Sequence, residues 1–269
     1  MPLNNPQKTA AIVTGGGRGI GRAISLRLIQ DLPLIVGGRT KTDLDSLCLE
    51  CAERGGVAAA CVGDIADPAT ASAAVELAHS YGWTIQHLIC KAGMGKSGAT
   101  EKFDPDLWRR IFDVNIHGCF HFVQACLPDL LSAGGATITI ISSMAGVTGV
   151  SHDAAYCASK HALVGFARSL AMEYSKSSLT IAALCPSFIE SEMTQRSIQG
   201  LMKHRGLTEL AATQRISDHC PAKRILPAGE IAEAVALLGT SQFEAAEALA
   251  KLGGYPIFGN NGSERKKEI

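Results

Sequence analysis

The chain has 269 residues, with 25 Lys plus Arg against 25 Asp plus Glu, so its formal net charge is zero. That balance argues against nucleic acid or an anionic membrane surface as a partner and leaves a small ligand; the length suits one large α/β domain over residues 1–269, with no Pro-rich or charged linker dividing it. Nine cysteines, an odd number, follow a polar N-terminus without an apolar signal region, which points to free thiols in a reducing cytoplasm, and no apolar run is long enough to span a bilayer.

In chain order, AAIV (10–13) reads as a short buried strand and IGRAISLRLIQ (20–30) as a helix. Between them lies TGGGRGIG (14–21), where Gly15, Gly19 and Gly21 let the backbone approach a ligand and the following helix directs unpaired N–H groups and its positive dipole end into the loop. The spacing is not G-x-G-x-x-G, and glycines also serve close packing of a helix on a strand.

PLIVGG (33–38) reads as the second strand and residues 42–55 as an amphipathic helix. Cys48 and Cys51 lie on that helix at C-x-x-C spacing, but no second pair with metal-ligand spacing accompanies them, so they read as packing residues and no metal is expected. VAAACVGD (57–64) is a strand, 68–82 a helix, IQHLICKAG (85–93) a strand, and about 104–131 a long helical region. ATITIIS (136–142) is a β-branched strand, 153–176 a strongly periodic helix, LTIAALCP (179–186) a strand, 228–239 a helix and YPIF (255–258) a last short strand.

Nearly continuous apolar strands alternating with helices predict a doubly wound parallel sheet of about seven strands, flanked by helices on both faces. In such a sheet the ligand lies beyond the carboxyl ends of the strands, where strand order reverses. The glycine loop, Arg39, Asp64, Gly93, Ser143 and Pro186 all follow strands directly. Tyr156 and Lys160, four apart on one helix, project from the same face. An ammonium beside a phenol favours the phenolate and lowers a pKa that starts near ~10.

Together these residues resemble the short-chain dehydrogenase/reductase family, over residues 9–262: TGGGRGIG, Asp64 after the third strand, Ala92-Gly93 after the fourth, Asn115, Ser143, and Tyr156-x-x-x-Lys160. The resemblance implies a Rossmann-type fold and an oxidoreductase of the 3-oxoacyl reductase kind. It implies that Gly15, Gly19, Ile20 and Gly21 hold the cofactor pyrophosphate, and that Asp64 bonds the adenine edge. Tyr156 would be the general acid, and Lys160 would lower its pKa and bind the nicotinamide ribose. Ser143, thirteen positions before Tyr156, would hold the substrate oxygen, with Ser142 the alternative. Asn115 would anchor a water relaying protons to Lys160. Pro186, Ile189 and Ser191 would contact the nicotinamide carboxamide, and residues 194–221 would be a substrate lid.

For the nicotinamide cofactor, Arg39 after the second strand and Arg18 in the glycine loop, with no carboxylate there, favour the 2′-phosphate of NADP(H). The family pattern breaks at Cys90-Lys91, where two asparagines are usual, and at Ser187 in place of glycine. His152, four before Tyr156, stands near the substrate mouth as a helix-start residue or a substrate contact. The reading is an NADP(H)-dependent ketone reductase acting on a 3-oxoacyl thioester or small ketone. Its alternatives are an NAD-dependent 3-hydroxyacyl or hydroxysteroid dehydrogenase, and a dinucleotide-binding sensor or scaffold. A homo-oligomer, tetramer or dimer, is implied, with Ala162, Gly165 and Ala171 permitting close approach of two copies of the Tyr156 helix.

Overall fold

The computed structural model describes residues 8–239 and 255–258. Six strands run parallel: β1 (Lys8–Thr14), β2 (Leu34–Gly38), β3 (Ala58–Val62), β4 (Trp83–Cys90), β5 (Thr137–Ile141) and β6 (Thr180–Cys185). A seventh, β7 (Tyr255–Phe258), pairs with β6, and the order is β3-β2-β1-β4-β5-β6-β7. The sheet is the doubly wound, parallel, seven-stranded one that the sequence predicts, with β7 antiparallel at its edge. An edge strand pairs on one side only, so its direction is not dictated by the crossover helices that keep inner strands parallel.

The strands alternate their apolar side chains between two cores. On β1, Ala10 and Ile12 enter one core with Phe122 and Leu163, while Ala11 and Val13 enter the other with Ile24, Leu44 and Ile231. The first core therefore packs α3 (Pro68–Ser80), α5 (Gly118–Ser132) and α6 (Ala154–Glu173) on one face; the second packs α1 (Gly19–Leu28), α2 (Lys41–Glu53) and α9 (Ala228–Leu238) on the other. The long helical region expected over 104–131 is α4 (Pro105–Phe112), a π-helical turn at Asp113–His117, and then α5. Such turns concentrate at functional sites, and this one carries Asn115. The region 194–221 forms α7 (Glu192–Arg205) and α8 (Glu209–His219), joined through Gly206 and packed on each other through Ile198, Ala212 and Ile216.

All nine cysteines are free. Cys51 is fully buried on α2 and Cys48 half-buried, in keeping with a packing role. Among the described residues no group of His, Cys, Asp or Glu could hold a metal, and no helix is long and apolar enough to cross a membrane. On α6, Ala162 and Gly165 are exposed, but Ala171 belongs to the core and is unavailable to a second copy, because the helix turns that position onto the sheet.

One buried titratable group lies apart from the cleft. His87 on β4 hydrogen-bonds the Thr139 hydroxyl at 3.0 Å, and burial pulls its pKa down to about 4. The unfolded chain takes up a proton near pH ~6.5, which the folded state refuses until about 4, so stability is complete above ~6.5 and lost as pH falls between the two values, by about 3 kcal/mol. In urea unfolding near neutrality and near pH 4, His87→Gln is expected to lose distinctly less stability on acidification than the wild type; equal losses would assign the acid sensitivity elsewhere.

Candidate active site

The carboxyl ends of β1 and β4 diverge where strand order reverses, and Thr14 ties them together. Its hydroxyl donates to the Ile89 carbonyl (3.3 Å) and accepts the N–H groups of Lys91 (3.0 Å) and Ala92 (3.1 Å). The glycine loop leaves β1 through Gly15, whose φ of +67° and close fit on Ala92 suit glycine alone. Gly15 and Gly16 donate to the Gly37 carbonyl, fixing the loop to β2 as well. A Cβ at Gly21 would stand 2.0 Å from the Gly15 carbonyl oxygen, so the start of α1 is folded back onto the loop.

These features test whether a dinucleotide fits. No side chain caps the N-terminus of α1 and no acidic residue occupies its first turn, leaving its N–H groups directed at the cleft. Above Gly19 a Cβ would meet nothing within 4 Å among the described residues, so there is room for a ligand over the loop. On the loop after β6, the Ser187 hydroxyl is buried without a hydrogen-bond partner among the described residues. An uncapped helix start behind a glycine loop and this orphaned polar atom fit a nicotinamide dinucleotide.

Beyond the end of β2, Gly38, Arg39, Asp43 and Asp64 line the cleft. Asp64 accepts the Ala66 N–H at 3.1 Å and is paired with Arg110 of α4. Burial would raise its pKa, but these two bonds and the charges of Arg110 and Arg39 hold it below the ordinary value. Arg39 is exposed and has no ion pair among the described residues. Arg18 pairs with Asp43 (3.1 Å) and with Glu192 of α7 (3.7 Å). Asp43 corrects the expectation of a cleft end free of carboxylates: it follows the strand by five residues, yet the first turn of α2 returns it to the loop, where Gly17 packs on its Cβ.

On the other side of the glycine loop, Ser143 follows β5, and Tyr156 and Lys160 lie on α6. The Ser143 oxygen accepts the Ala145 N–H at 3.1 Å and faces the Tyr156 hydroxyl. Ser142, the alternative to it, is buried and its hydroxyl is committed to the Lys160 carbonyl at 2.9 Å. The Lys160 ammonium donates to the Ile141 carbonyl at 2.8 Å and lies 5.7 Å from the centre of the Tyr156 ring. Burial first, and then the charge of Lys91, pull its pKa down to about 8.

The expected lowering of the Tyr156 pKa is absent. Burial pushes the phenol up to about 12, opposed by the Ser143 hydrogen bond. The physical reason is that burial of the phenol disfavours the phenolate, while Lys160, directed to the Ile141 carbonyl, does not offset it.

Asn115 is buried, and both its amide hydrogens are in use, to the Met94 carbonyl and the Ser159 hydroxyl at 2.9 Å each, while its oxygen accepts the Met94 N–H at 2.8 Å. It clamps the loop after β4, whose Gly95 lies so close to the Tyr156 ring that a Cβ would stand 2.8 Å from it. Of the loop after β6, Pro186 accepts the Met144 N–H; Ile189 is buried in the core; Ser191 caps α7 through the Thr194 N–H. Ile20 packs its side chain against the same core as Ile189, leaving only its backbone to the loop. His152 is exposed, with φ of +64° and its carbonyl bound by the Gly98 N–H at 2.7 Å. Thr14, Gly95, Asp43 and Arg110 escaped the sequence reading because their signal is proximity between segments far apart in the chain.

The family profile described as short chain dehydrogenase matches residues 9–201. Cyclohexanol dehydrogenase of Acinetobacter sp. (strain SE19) is 29% identical, over 87% of this chain and 89% of its own. Among solved structures, an actinorhodin polyketide ketoreductase variant with NADPH superimposes with a TM-score of 0.83 at 30% identity, covering 91% of this chain and 94% of that one. A 3-oxoacyl-[acyl-carrier protein] reductase of Brucella melitensis with bound NAD does so with a TM-score of 0.75 at 26% identity, covering 89% and 87%.

Changing Gly21 to Ala must move the loop or the helix. We expect Gly21→Ala to destabilise the protein by roughly 1–3 kcal/mol, as overpacking does, and to weaken dinucleotide binding. An unaltered unfolding midpoint together with unaltered binding would refute the close approach.

Proposed function

This chain belongs to the short chain dehydrogenase family of oxidoreductases, and from that premise we propose that it is an NADP(H)-dependent reductase interconverting a ketone and a secondary alcohol, with a 3-oxoacyl thioester or a related small ketone as substrate. The observation that carries the reading is the Ser143 hydroxyl facing the Tyr156 phenol, with Lys160 beside them, at the sheet edge that also holds an anion-binding glycine loop.

In this reading Gly15, Gly19, Gly21 and the first N–H groups of α1 hold the diphosphate, Asp64 takes the adenine, and Lys160 the nicotinamide ribose. When bound, the reduced nicotinamide supplies the hydride to the carbonyl carbon. Negative charge then builds on the carbonyl oxygen, where Ser143 and Tyr156 place two donors. Tyr156 gives that oxygen its proton, and a phenol with a pKa of about 12 is fully protonated at neutrality, the form the reduction requires. The ammonium of Lys160 balances the phenolate left behind. Asn115 holds the loop of Met94 and Gly95 against the Tyr156 ring. The helices α7 and α8 close over the substrate as a lid, joined to the glycine loop by Arg18 and Glu192. Nine free thiols support a reducing compartment.

Arg39, unpaired among the described residues, supports the 2′-phosphate reading. Asp43 is the observation that favours the alternative, an NAD-dependent hydroxyacyl or hydroxysteroid dehydrogenase. Loss of nicotinamide absorbance with NADPH and NADH, against an acetoacetyl thioester and a cyclic ketone, decides between them. NADPH is expected to be the faster, and Tyr156→Phe to slow turnover by roughly 10²–10⁴-fold while nucleotide still binds. Arg39→Ala is expected to weaken NADPH about tenfold, near 1.4 kcal/mol, and to leave NADH unchanged. A wild type that prefers NADH establishes the alternative, and binding without turnover establishes a sensor.

For the homo-oligomer we propose the face where Ala162 and Gly165 of α6 are exposed beside Phe120, whose ring packs against Phe166. A monomer by sedimentation, at micromolar concentration, would exclude it.

A further inference from the structure

Lys91 stands at the end of β4 where the family resemblance leads one to expect an uncharged amide. Its backbone is fixed, since its N–H is one of the two held by the Thr14 hydroxyl. Its side chain lines the nucleotide cleft with Gly15, Arg18 and Gly93. No carboxylate, carbonyl or hydroxyl among the described residues accepts from its ammonium. The charges that act on it are of its own sign: burial first, and then Arg18, pull it down to about 8, and Lys91 in turn lowers Lys160; the carboxylates that line the same cleft, Asp43 and Asp64, are paired with Arg18 and Arg110.

A desolvated ammonium facing other cations is costly unless an anion completes the site. A neutral side chain would serve packing better, so the arrangement points to a negatively charged ligand. The strand order says which part of it. β1 lies between β2, which carries Arg39 beyond its end, and β4, which carries Lys91. Lys91 is thus separated from the 2′-phosphate end by the glycine loop itself, and the residue after it, Ala92, packs directly on Gly15.

We propose that the Lys91 ammonium binds the diphosphate bridge of the dinucleotide from the β4 side, opposite the N–H groups of α1, so that it anchors NADPH and NADH alike. This rests on the reading of the cleft as a dinucleotide site. The bound anion restores the full charge of Lys91, so affinity is complete below about pH 8 and falls as pH rises through that value.

Dissociation constants of NADPH, NADH and adenosine 2′-monophosphate, which has no 5′-phosphate and so lacks the bridge, test the assignment by fluorescence and calorimetry in the wild type, Lys91→Asn, Lys91→Met and Lys91→Arg. Lys91→Asn and Lys91→Met are expected to weaken both dinucleotides about tenfold by the same factor, to leave the monophosphate unchanged, and to flatten the decline above pH 8, while Lys91→Arg retains most of the affinity. Removal of a half-buried cation that has no hydrogen-bond partner among the described residues should leave the unfolding midpoint of the free protein equal or higher, which separates a binding loss from a folding loss. Weakening of NADPH alone would assign Lys91 to the 2′-phosphate and overturn the proposal. Unchanged affinities would overturn it too, including where only the pH dependence of turnover moves, since Lys91 would then act on Lys160. A wild type that binds neither dinucleotide would instead defeat the functional reading beneath it.

Discussion

Three hydrogen bonds converge on the hydroxyl of Thr14, and the geometry of the cleft depends on them. β1 and β4 are neighbours in space but are separated in the chain by β2 and β3, and beyond their last shared ladder bonds nothing in the sheet itself holds their loops together. The Thr14 side chain continues the ladder by one step, accepting the N–H groups of Lys91 and Ala92 while it donates to Ile89. Buried backbone donors need such partners. The glycine loop is thereby seated on Ala92, and everything placed by that loop, from the uncapped start of α1 to the position of Lys91, follows from it.

A second set of bonds uses polar side chains to fix backbone rather than to do chemistry. Ser142 holds the Lys160 carbonyl, Lys160 holds the Ile141 carbonyl, Asn115 holds both polar groups of Met94, and Ser191 caps α7. This network makes β5, α6 and the loop after β4 one rigid unit, which is what a site needing sub-ångström placement requires. It also sorts the residues. Groups left with hydrogen-bonding capacity include, among the described residues, the Ser143 hydroxyl, the Tyr156 phenol, the Ser187 hydroxyl, the guanidinium of Arg39 and the ammonium of Lys91.

Electrostatically the cleft is a concentration of positive charge whose carboxylates are already occupied. Asp43 is taken by Arg18 and Asp64 by Arg110, whereas Arg39 and Lys91 are left over among the described residues and Lys160 is buried. The lowered pKa values of Lys91 and Lys160 and the raised value of Tyr156 have one origin, desolvation, which disfavours the charged form of each. An anionic ligand relieves the two lysines together.

The α/β architecture was legible from the chain alone because a strand buried on both faces must be apolar nearly throughout, as β1 and β5 are, and because α6 repeats its apolar positions at helical spacing. The glycine loop and the Tyr156–Lys160 pair were legible because their partners are local: a strand directly before, a helix directly after, four residues along one face. What the residues next to one another in sequence could not determine was set by contacts across the sheet. Asp43 reaches the cleft only because α2 folds back beside the glycine loop, Ala171 leaves the surface because of the turn of α6 against β6, and β7 reverses because an edge strand has one neighbour. Tyr156 and Lys160 were identified from their spacing, but their acidities were decided by burial and by the backbone carbonyl that Lys160 found, and a pKa depends on everything within a few ångströms rather than on the residues adjoining in the chain.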